Sequence, residues 1–245
     1  MGAIVGAMFA YYGDAVEVEE IFKKFLQSQF HERFGKTFFI LSEDPGTYQK
    51  PKQIIEKLGR GFIYLKAASK RAIFSHDILN DTLDCLLPDV RFDNLRIPFV
   101  SVASDLVTGR EVVIKSGRVR PAIVASSLIP GIVEPLKLGN SILTDGSTTG
   151  VVPVKAALET FGRKIIAVDV SMTLKREIEL QTAFDVALRA NEITSYSLNQ
   201  AGLSVADVVI SPKVGNTNWA RFERLAEMVR AGEISAKKSL TRLKK

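Results

Sequence analysis

Short apolar runs separated by helical patterns constrain the fold of this 245-residue chain more than any other feature. Residues 164–170 read Lys-Ile-Ile-Ala-Val-Asp-Val, a nearly continuous apolar run that is typical of a strand buried on both faces. Another short run, at 207–212, follows a helical pattern over about 174–201. Strands that alternate with helices predict an α/β protein with a mainly parallel central sheet covered by helices on both faces. Because we find no internal repeat and no linker, we predict a single domain over residues 1–245.

The first 150 residues predict further helices and strands. The chain opens on an apolar helical stretch, in which Gly2 and Gly6 lower the helix propensity and indicate close packing against another backbone. A second helical stripe begins at Val18. The later patterns predict, in chain order, a strand over 98–104, a turn at Thr108-Gly109, a returning strand over 111–115, a helix over about 119–127, a strand over 141–144 that runs into Asp145-Gly146, and a C-terminal helix over 219–242 with a stop near Gly232.

Composition excludes several classes of chemistry. A single cysteine, Cys85, cannot form an internal disulfide or a cysteine-based zinc site, and only His31 and His76 could supply imidazoles. We therefore predict no metal and no organic cofactor, and no histidine base. The net charge of +6 favours anionic partners. However, the sequence has no zinc pattern, helix-turn-helix or aromatic-basic interleaving, so we predict no nucleic-acid partner.

The sequence predicts no membrane span. Its most apolar stretch, Met1 to Tyr12, is shorter than the ~18 residues that a span requires. It also lacks the basic start of a signal peptide, because the first lysine is Lys23. We predict a cytoplasmic protein and leave open peripheral contact with a membrane. The segment 21–39, with six phenylalanines and flanking lysines and arginines, is either core or an interfacial lid.

Asp145 is the candidate catalytic carboxylate. It lies where a predicted strand ends and the chain turns, and functional groups of α/β proteins gather at such strand ends. The sequence alone also supports a plain turn here, because Asp-Gly is a common turn pair.

Several segments in order resemble the patatin-like phospholipase family. They are Ile97-Pro-Phe-Val-Ser-Val-Ala-Ser-Asp-Leu-Val-Thr-Gly-Arg-Glu, Ser116-Gly, Ala125-Ser-Ser-Leu-Ile-Pro-Gly-Ile, Asp145-Gly146 and Pro153. The resemblance extends from about Gly2 to the C-terminus. It implies a fold related to the α/β-hydrolase architecture and a lipid acyl hydrolase that uses a Ser–Asp dyad. In that dyad the serine lies in a Gly-x-Ser-x-Gly elbow, and Asp145, followed by Gly146 and Ser147, is the base.

The serine of that dyad is absent from the 245 residues, which contain no Gly-x-Ser-x-Gly. In the family the opening Met1-Gly2-Ala3 follows the serine directly, so Met1 and Gly2 look like the remnant of the elbow. The nucleophile would then precede Met1, and the N-terminal strand and oxyanion loop would be missing as well. We expect a mis-called start, a fragment or a pseudo-enzyme. Ser147 replaces the Gly or Ala of the family, and we regard the change as tolerated.

Two functions follow from the resemblance. The first is a phospholipase or esterase that acts on a phospholipid or another lipid ester through an acyl-serine intermediate, with the chain as written inactive alone. The second is a degenerate, non-catalytic regulator that binds lipid or protein. The sequence does not define the head group, the acyl chain or the oligomeric state, and it does not distinguish a phospholipase from an esterase or a transferase.

Overall fold

The computed structural model describes residues 1–28, 72, 74–162, 164–171, 173–174, 180–214 and 224–241. These residues fall into two compact units, Met1–Gly146 and the described residues from Ser147 onward. The single-domain prediction over residues 1–245 stays a prediction. His31 and most of the phenylalanine-rich segment, from Phe30 on, lie outside the described residues. None of the helices in the described ranges is both long and apolar enough to cross a membrane.

The first unit combines four described helices with a four-stranded sheet. Its elements are α1 (Gly2–Tyr12), α2 (Ala15–Leu26), α3 (Asp77–Leu86), β1 (Ser101–Asp105), β2 (Glu111–Ile114), α4 (Val119–Ser126), β3 (Leu136–Leu138) and β4 (Ser141–Asp145), with a 3₁₀ turn at Phe92–Asn94.

Helix α1 is apolar along its length and contains no charged residue. It ends at Gly13, whose φ of 77° is a left-handed conformation that glycine adopts without steric cost. Asp14 then begins α2, because its carboxylate accepts a hydrogen bond from the backbone N–H of Val16 at 2.7 Å. The predicted close packing against another backbone is wrong: an added Cβ at Gly6 would lie 3.1 Å from the ring of Phe99, and one at Gly2 would meet nothing within 4 Å.

One apolar core joins the helices of this unit. Met8 of α1 and Ile123 of α4 are fully buried in it, together with Leu83 of α3. A smaller cluster joins Ala125 of α4 to Ala103 of β1. Helix α4 therefore packs between α1 and one face of the sheet, which fixes the start of α1 relative to the strands.

The four-stranded sheet is antiparallel, so the prediction of a mainly parallel sheet is wrong. Its strand order is β2-β1-β4-β3, and all three neighbouring pairs run in opposite directions. Short connections account for two of the three pairs, because only residues 106–110 join β1 to β2 and only Gly139 and Asn140 join β3 to β4. A parallel pair needs a crossover of a dozen residues or so. The prediction extended to the whole sheet the alternation of strands and helices in the second half of the chain, where a parallel pair does occur.

The second unit holds the parallel pair. Its elements are α5 (Val154–Phe161), β5 (Ile166–Val168), α6 (Ala183–Leu203), β6 (Val208–Ile210) and α7 (Leu225–Thr241). Strands β5 and β6 pair in parallel, as the alternation of strands and helices predicts. Burial of β5 on both faces is wrong, however, because Ile166 is 49% and Val168 52% exposed. The predicted stop at Gly232 is also wrong, since α7 continues through it.

Asn199 of α6 is the buried polar residue that ties this unit together. Only 2% of it is exposed. Its amide donates to Asp169 at 3.3 Å and to Ser171 at 3.1 Å, and its side-chain oxygen accepts from the backbone N–H of Val152 at 3.2 Å. The end of β5, helix α6 and the segment before α5 are therefore held by one side chain.

In the sheet of the first unit, the buried side chain of Asp105 likewise joins separate segments of the chain. Its carboxylate accepts hydrogen bonds from the N–H of Val107 at 3.1 Å, the hydroxyl of Thr108 at 2.9 Å, the hydroxyl of Ser141 at 3.1 Å and the N–H of Ile142 at 3.1 Å. These bonds hold the pKa of Asp105 below its ordinary value of 3.8, and the bond from the N–H of Val107 lowers it most. One carboxylate thus joins the turn after β1 to the start of β4.

We predict that Asp105→Asn lowers the free energy of unfolding at pH 7. A carboxylate with a lowered pKa stabilises the folded state above its ordinary pKa, and this contribution is lost as the pH falls through the folded value. The difference between the parent and the variant should therefore shrink below about pH 3.8. Urea unfolding at several pH values measures it. Asp81→Asn, at an exposed position of α3, is the control; a loss in Asp105→Asn that is constant with pH would contradict the prediction.

Candidate functional site

Asp145 is the last residue of β4. It pairs with Ala103 of β1, and directly paired residues of an antiparallel ladder present their side chains on the same face. Its backbone N–H donates to the carbonyl of Leu128 at 2.9 Å, just beyond α4. The same carbonyl accepts the hydroxyl of Thr144 at 2.7 Å. Asp145 is half-buried, and its backbone is held by both the neighbouring strand and the chain that follows α4.

Gly146 is required by a close approach of two backbones. It begins the short 3₁₀ turn Gly146–Thr148, and a Cβ added to it would lie 2.5 Å from the carbonyl oxygen of Val102. No side chain fits at that distance. Its φ is not positive, so the glycine is needed for space rather than for a left-handed turn. The buried Ser104 hydroxyl donates to the Gly146 carbonyl at 3.4 Å and adds to the attachment.

The amino group of Met1 interacts with the carboxylate of Asp145. Although Met1 as a residue is 52% exposed, burial lowers the pKa of its amino group below 8.0, and the negative charge of Asp145 partly offsets that effect by raising it. This electrostatic interaction is what the predicted proximity of Asp145 to the start of α1 requires, and the catalytic role of Asp145 stays a prediction. This end of α1 carries the positive end of the helix dipole, which favours a nearby carboxylate.

The other site residues predicted from the sequence lie at the start of α1 and at or just after the ends of α4 and β4. Gly2 is the first residue of α1, and an added Cβ would meet no atom within 4 Å. Ser147 is exposed in the turn after Asp145. Ser126 ends α4, and Ser127 follows with 6% of its surface exposed. The Ser127 hydroxyl makes no hydrogen bond to any residue that the structure describes.

Sequence reasoning did not single out Val102 and Ser104, which contact the end of β4, or Asp105, which binds its start. The signal available was the Asp-Leu-Val-Thr-Gly segment, because an aspartate before such a turn often binds the backbone N–H two residues on. Its cross-strand bonds to Ser141 and Ile142 could not be inferred from local sequence. Among the described residues, no group of three His, Cys, Asp or Glu side chains could hold a metal ion.

Comparison with known proteins gives a consistent set of matches. A family model described as "Patatin-like phospholipase" matches residues 1–158. Uncharacterized NTE family proteins of Mycobacterium bovis and Mycobacterium tuberculosis are each 24% identical over 166 residues, which covers 58% of this chain and 28% of the relative. A further uncharacterized NTE family protein of Mycobacterium tuberculosis is 30% identical over 86 residues, 35% of this chain and 24% of the relative. The chain thus spans about a quarter of the length of these relatives.

We predict that Gly146→Ala lowers the free energy of unfolding by about 1–3 kcal/mol, the usual cost of forcing an extra methyl group into a packed site. The methyl group would overlap the Val102 carbonyl and push the end of β4 away from β1. Gly150→Ala is the matched control, because a Cβ there meets nothing within 4 Å. Denaturant unfolding of the two variants measures the difference. Equal stability of both would contradict the close approach.

Proposed function

This chain belongs to the patatin-like phospholipase family, and on that premise we propose that it forms part of a lipid acyl hydrolase whose general base is Asp145. The family suggests hydrolysis of lipid esters. The substrate class we propose is a phospholipid or another lipid ester, and the head group and acyl chain stay open. The observation that carries the proposal is the electrostatic interaction between the Asp145 carboxylate and the Met1 amino group.

The Met1 nitrogen matters because it is the atom to which a preceding residue would be joined. In the family pattern the nucleophilic serine comes directly before the Met-Gly-Ala segment. A serine in that position would have its carbonyl carbon bonded to the Met1 nitrogen and its Cα two bonds from it, close to the Asp145 carboxylate. It would also lie at the positive end of α1, where negative charge that develops on its oxygen is stabilised.

The chemistry proposed for this pair is acyl transfer in two steps. Asp145 accepts the proton of the serine hydroxyl while the serine oxygen attacks the ester carbonyl carbon. The tetrahedral intermediate collapses, the C–O bond to the alcohol breaks, and the alcohol leaves with the proton from Asp145. Water then gives a proton to Asp145 and attacks the acyl-serine. Release of the fatty acid returns that proton to the serine oxygen.

Rigid attachment of the base supports this role. The Asp145 backbone is held by Leu128 on one side and by β1 on the other, and Gly146 lets the turn lie against the Val102 carbonyl. A general base must stay within hydrogen-bond reach of the proton that it accepts. The attachment limits the movement of the carboxylate.

A non-catalytic regulator that binds lipid or protein is the second candidate function. What favours it is a sequence observation: the 245 residues contain no Gly-x-Ser-x-Gly. Ser127 is not a convincing substitute nucleophile, because it is 6% exposed and follows a helix rather than lying in a strand–turn–helix elbow. The two candidates differ in whether a reactive serine exists next to Asp145.

The upstream codons and two variants test the proposal. We expect the in-frame codons before Met1 to encode Gly-x-Ser, and the chain extended by that segment to hydrolyse a soluble p-nitrophenyl ester and react with a fluorophosphonate. The chain as given should do neither. In the extended chain, Asp145→Asn should lower the rate at least about a hundredfold, the usual contribution of a general base. Ser127→Ala should leave the rate unchanged.

Each alternative has its own outcome in this experiment. Retained hydrolysis in Asp145→Asn, with circular dichroism unchanged, would reject the dyad. An in-frame stop directly before Met1, or an extended chain that does not react with the fluorophosphonate, would favour the regulator. Reaction of the given chain would mean that a serine among its 245 residues is the nucleophile.

A further inference from the structure

Two neighbouring turns expose large apolar side chains at one end of the four-stranded sheet. Leu106 is 53% and Val107 58% exposed in the turn after β1, and Leu138 is 63% exposed at the end of β3. The turns lie side by side, because the N–H of Leu106 donates to the carbonyl of Ile142 at 2.8 Å and Leu138 pairs with Ser141. With strands about 4.8 Å apart, the two turns are within roughly 10 Å of each other.

The exposed turns are fixed in place. The Asp105 carboxylate binds the N–H of Val107 and the hydroxyl of Thr108 in one turn, and the hydroxyl of Ser141 beside the other. A buried carboxylate with several hydrogen bonds holds both turns in one arrangement. The apolar side chains are therefore presented by a rigid support, and burying them against a partner costs little backbone ordering.

Two positively charged residues lie in the same two segments as the exposed apolar side chains. Residues 106–110 and 136–140 contain Arg110 and Lys137 and no aspartate or glutamate. Both cations are exposed, and neither has an ion-pair partner within the part of the chain that the structure describes. Two carboxylates flank the first turn: Asp105 is 4% exposed and occupied by its hydrogen bonds, and Glu111 is half-buried at the start of β2. We define Leu106, Val107, Leu138, Arg110 and Lys137 as the sheet-end patch.

We propose that the sheet-end patch docks the protein on an anionic lipid surface. Apolar side chains that enter the boundary between head groups and acyl chains, next to cations that meet anionic head groups, are the combination that binds peripheral proteins to bilayers. A symmetric contact with a second copy would bring the same cations face to face, which opposes association. The choice of lipid as the occupant rests on the proposed function, whereas the geometry and charge of the patch do not.

The patch lies at the opposite end of β4 from Asp145. Strand β4 begins at Ser141, beside the patch, and ends at Asp145, about 14 Å away for a strand of this length. The docking surface and the candidate catalytic carboxylate are therefore separate groups of residues. Changes in the patch should alter binding to a bilayer and leave the hydrolysis of a soluble ester unchanged.

Vesicle binding by the full chain tests the proposal. The measurement is co-sedimentation with vesicles of phosphatidylcholine and phosphatidylglycerol, compared with phosphatidylcholine alone. The chain should bind the anionic vesicles more tightly, and the binding should weaken in high salt because the charges are screened. Arg110→Gln with Lys137→Gln should lower the partition coefficient roughly thirtyfold, from the usual contribution of a cation near an anionic surface. Leu106→Ser with Val107→Ser should lower it roughly tenfold or more.

The matched control changes exposed apolar residues elsewhere. Val186→Ser with Ile193→Ser replaces side chains that are 52% and 47% exposed on α6, and it should leave vesicle binding unchanged. Circular dichroism and thermal unfolding establish that each variant is folded. Equal loss in the control and the patch variants would overturn the proposal, as would equal binding to both kinds of vesicle or no binding at all.

Two further readouts separate the alternatives. A concentration-dependent dimer in light scattering that Leu106→Ser with Val107→Ser abolishes, without vesicle binding, would make the patch a self-association surface and overturn the proposal. Hydrolysis of a soluble ester by the extended chain distinguishes the two proposals. Hydrolysis without vesicle binding means that only docking fails, and patch-dependent binding without hydrolysis means that only the catalytic proposal fails.

Discussion

The contact between the end of β4 and the backbone of β1 determines the position of Asp145, the candidate catalytic carboxylate. Gly146 lies so close to the Val102 carbonyl that no other residue fits without a shift of the strand. Asp145, one residue earlier, is thereby fixed opposite Ala103, with its backbone N–H on the carbonyl of Leu128. The Asp-Gly pair therefore meets two separate requirements. Asp145 places a negative charge near the start of α1, and Gly146 lacks the side chain that would keep the two backbones apart.

Burial of polar groups accompanies this contact and is compensated by hydrogen bonds. Ser101 and Ser104 of β1 are 1% exposed, and their hydroxyls bind the carbonyls of Ala122 and Gly146. Asp105 ends the same strand with a carboxylate that joins two turns. A buried polar group without partners would cost about 1–3 kcal/mol, so these bonds also select one register for β1 against β4. The register in turn places the candidate carboxylate at one end of β4 and the sheet-end patch at the other.

Local sequence predicted the elements of the first unit better than their arrangement. The apolar stretch after Met1, the hairpin around Thr108-Gly109 and the strand that runs into Asp145 all occur close to their predicted positions. The mainly parallel sheet was wrong, because the alternation of strands and helices in the second half of the chain, which does contain a parallel pair, was extended to the whole sheet. The loops of a few residues that connect β1 to β2 and β3 to β4 are too short for a parallel crossover, and they indicate antiparallel neighbours. In the second unit, half-exposed Ile166 and Val168 depart from the apolar pattern that predicted full burial of β5.

The site itself was predictable only through a family resemblance. Asp145 alone resembles any Asp-Gly turn, and the close approach of Gly146 to Val102 joins residues more than forty positions apart. The central claim is that the Asp145 carboxylate lies next to the Met1 nitrogen, and a pH titration of the Met1 amino group in the parent and in Asp145→Asn tests it most directly. Because the carboxylate raises the pKa of that amino group, its removal should lower the pKa further. An unchanged pKa in a folded variant would separate the two groups and contradict the account.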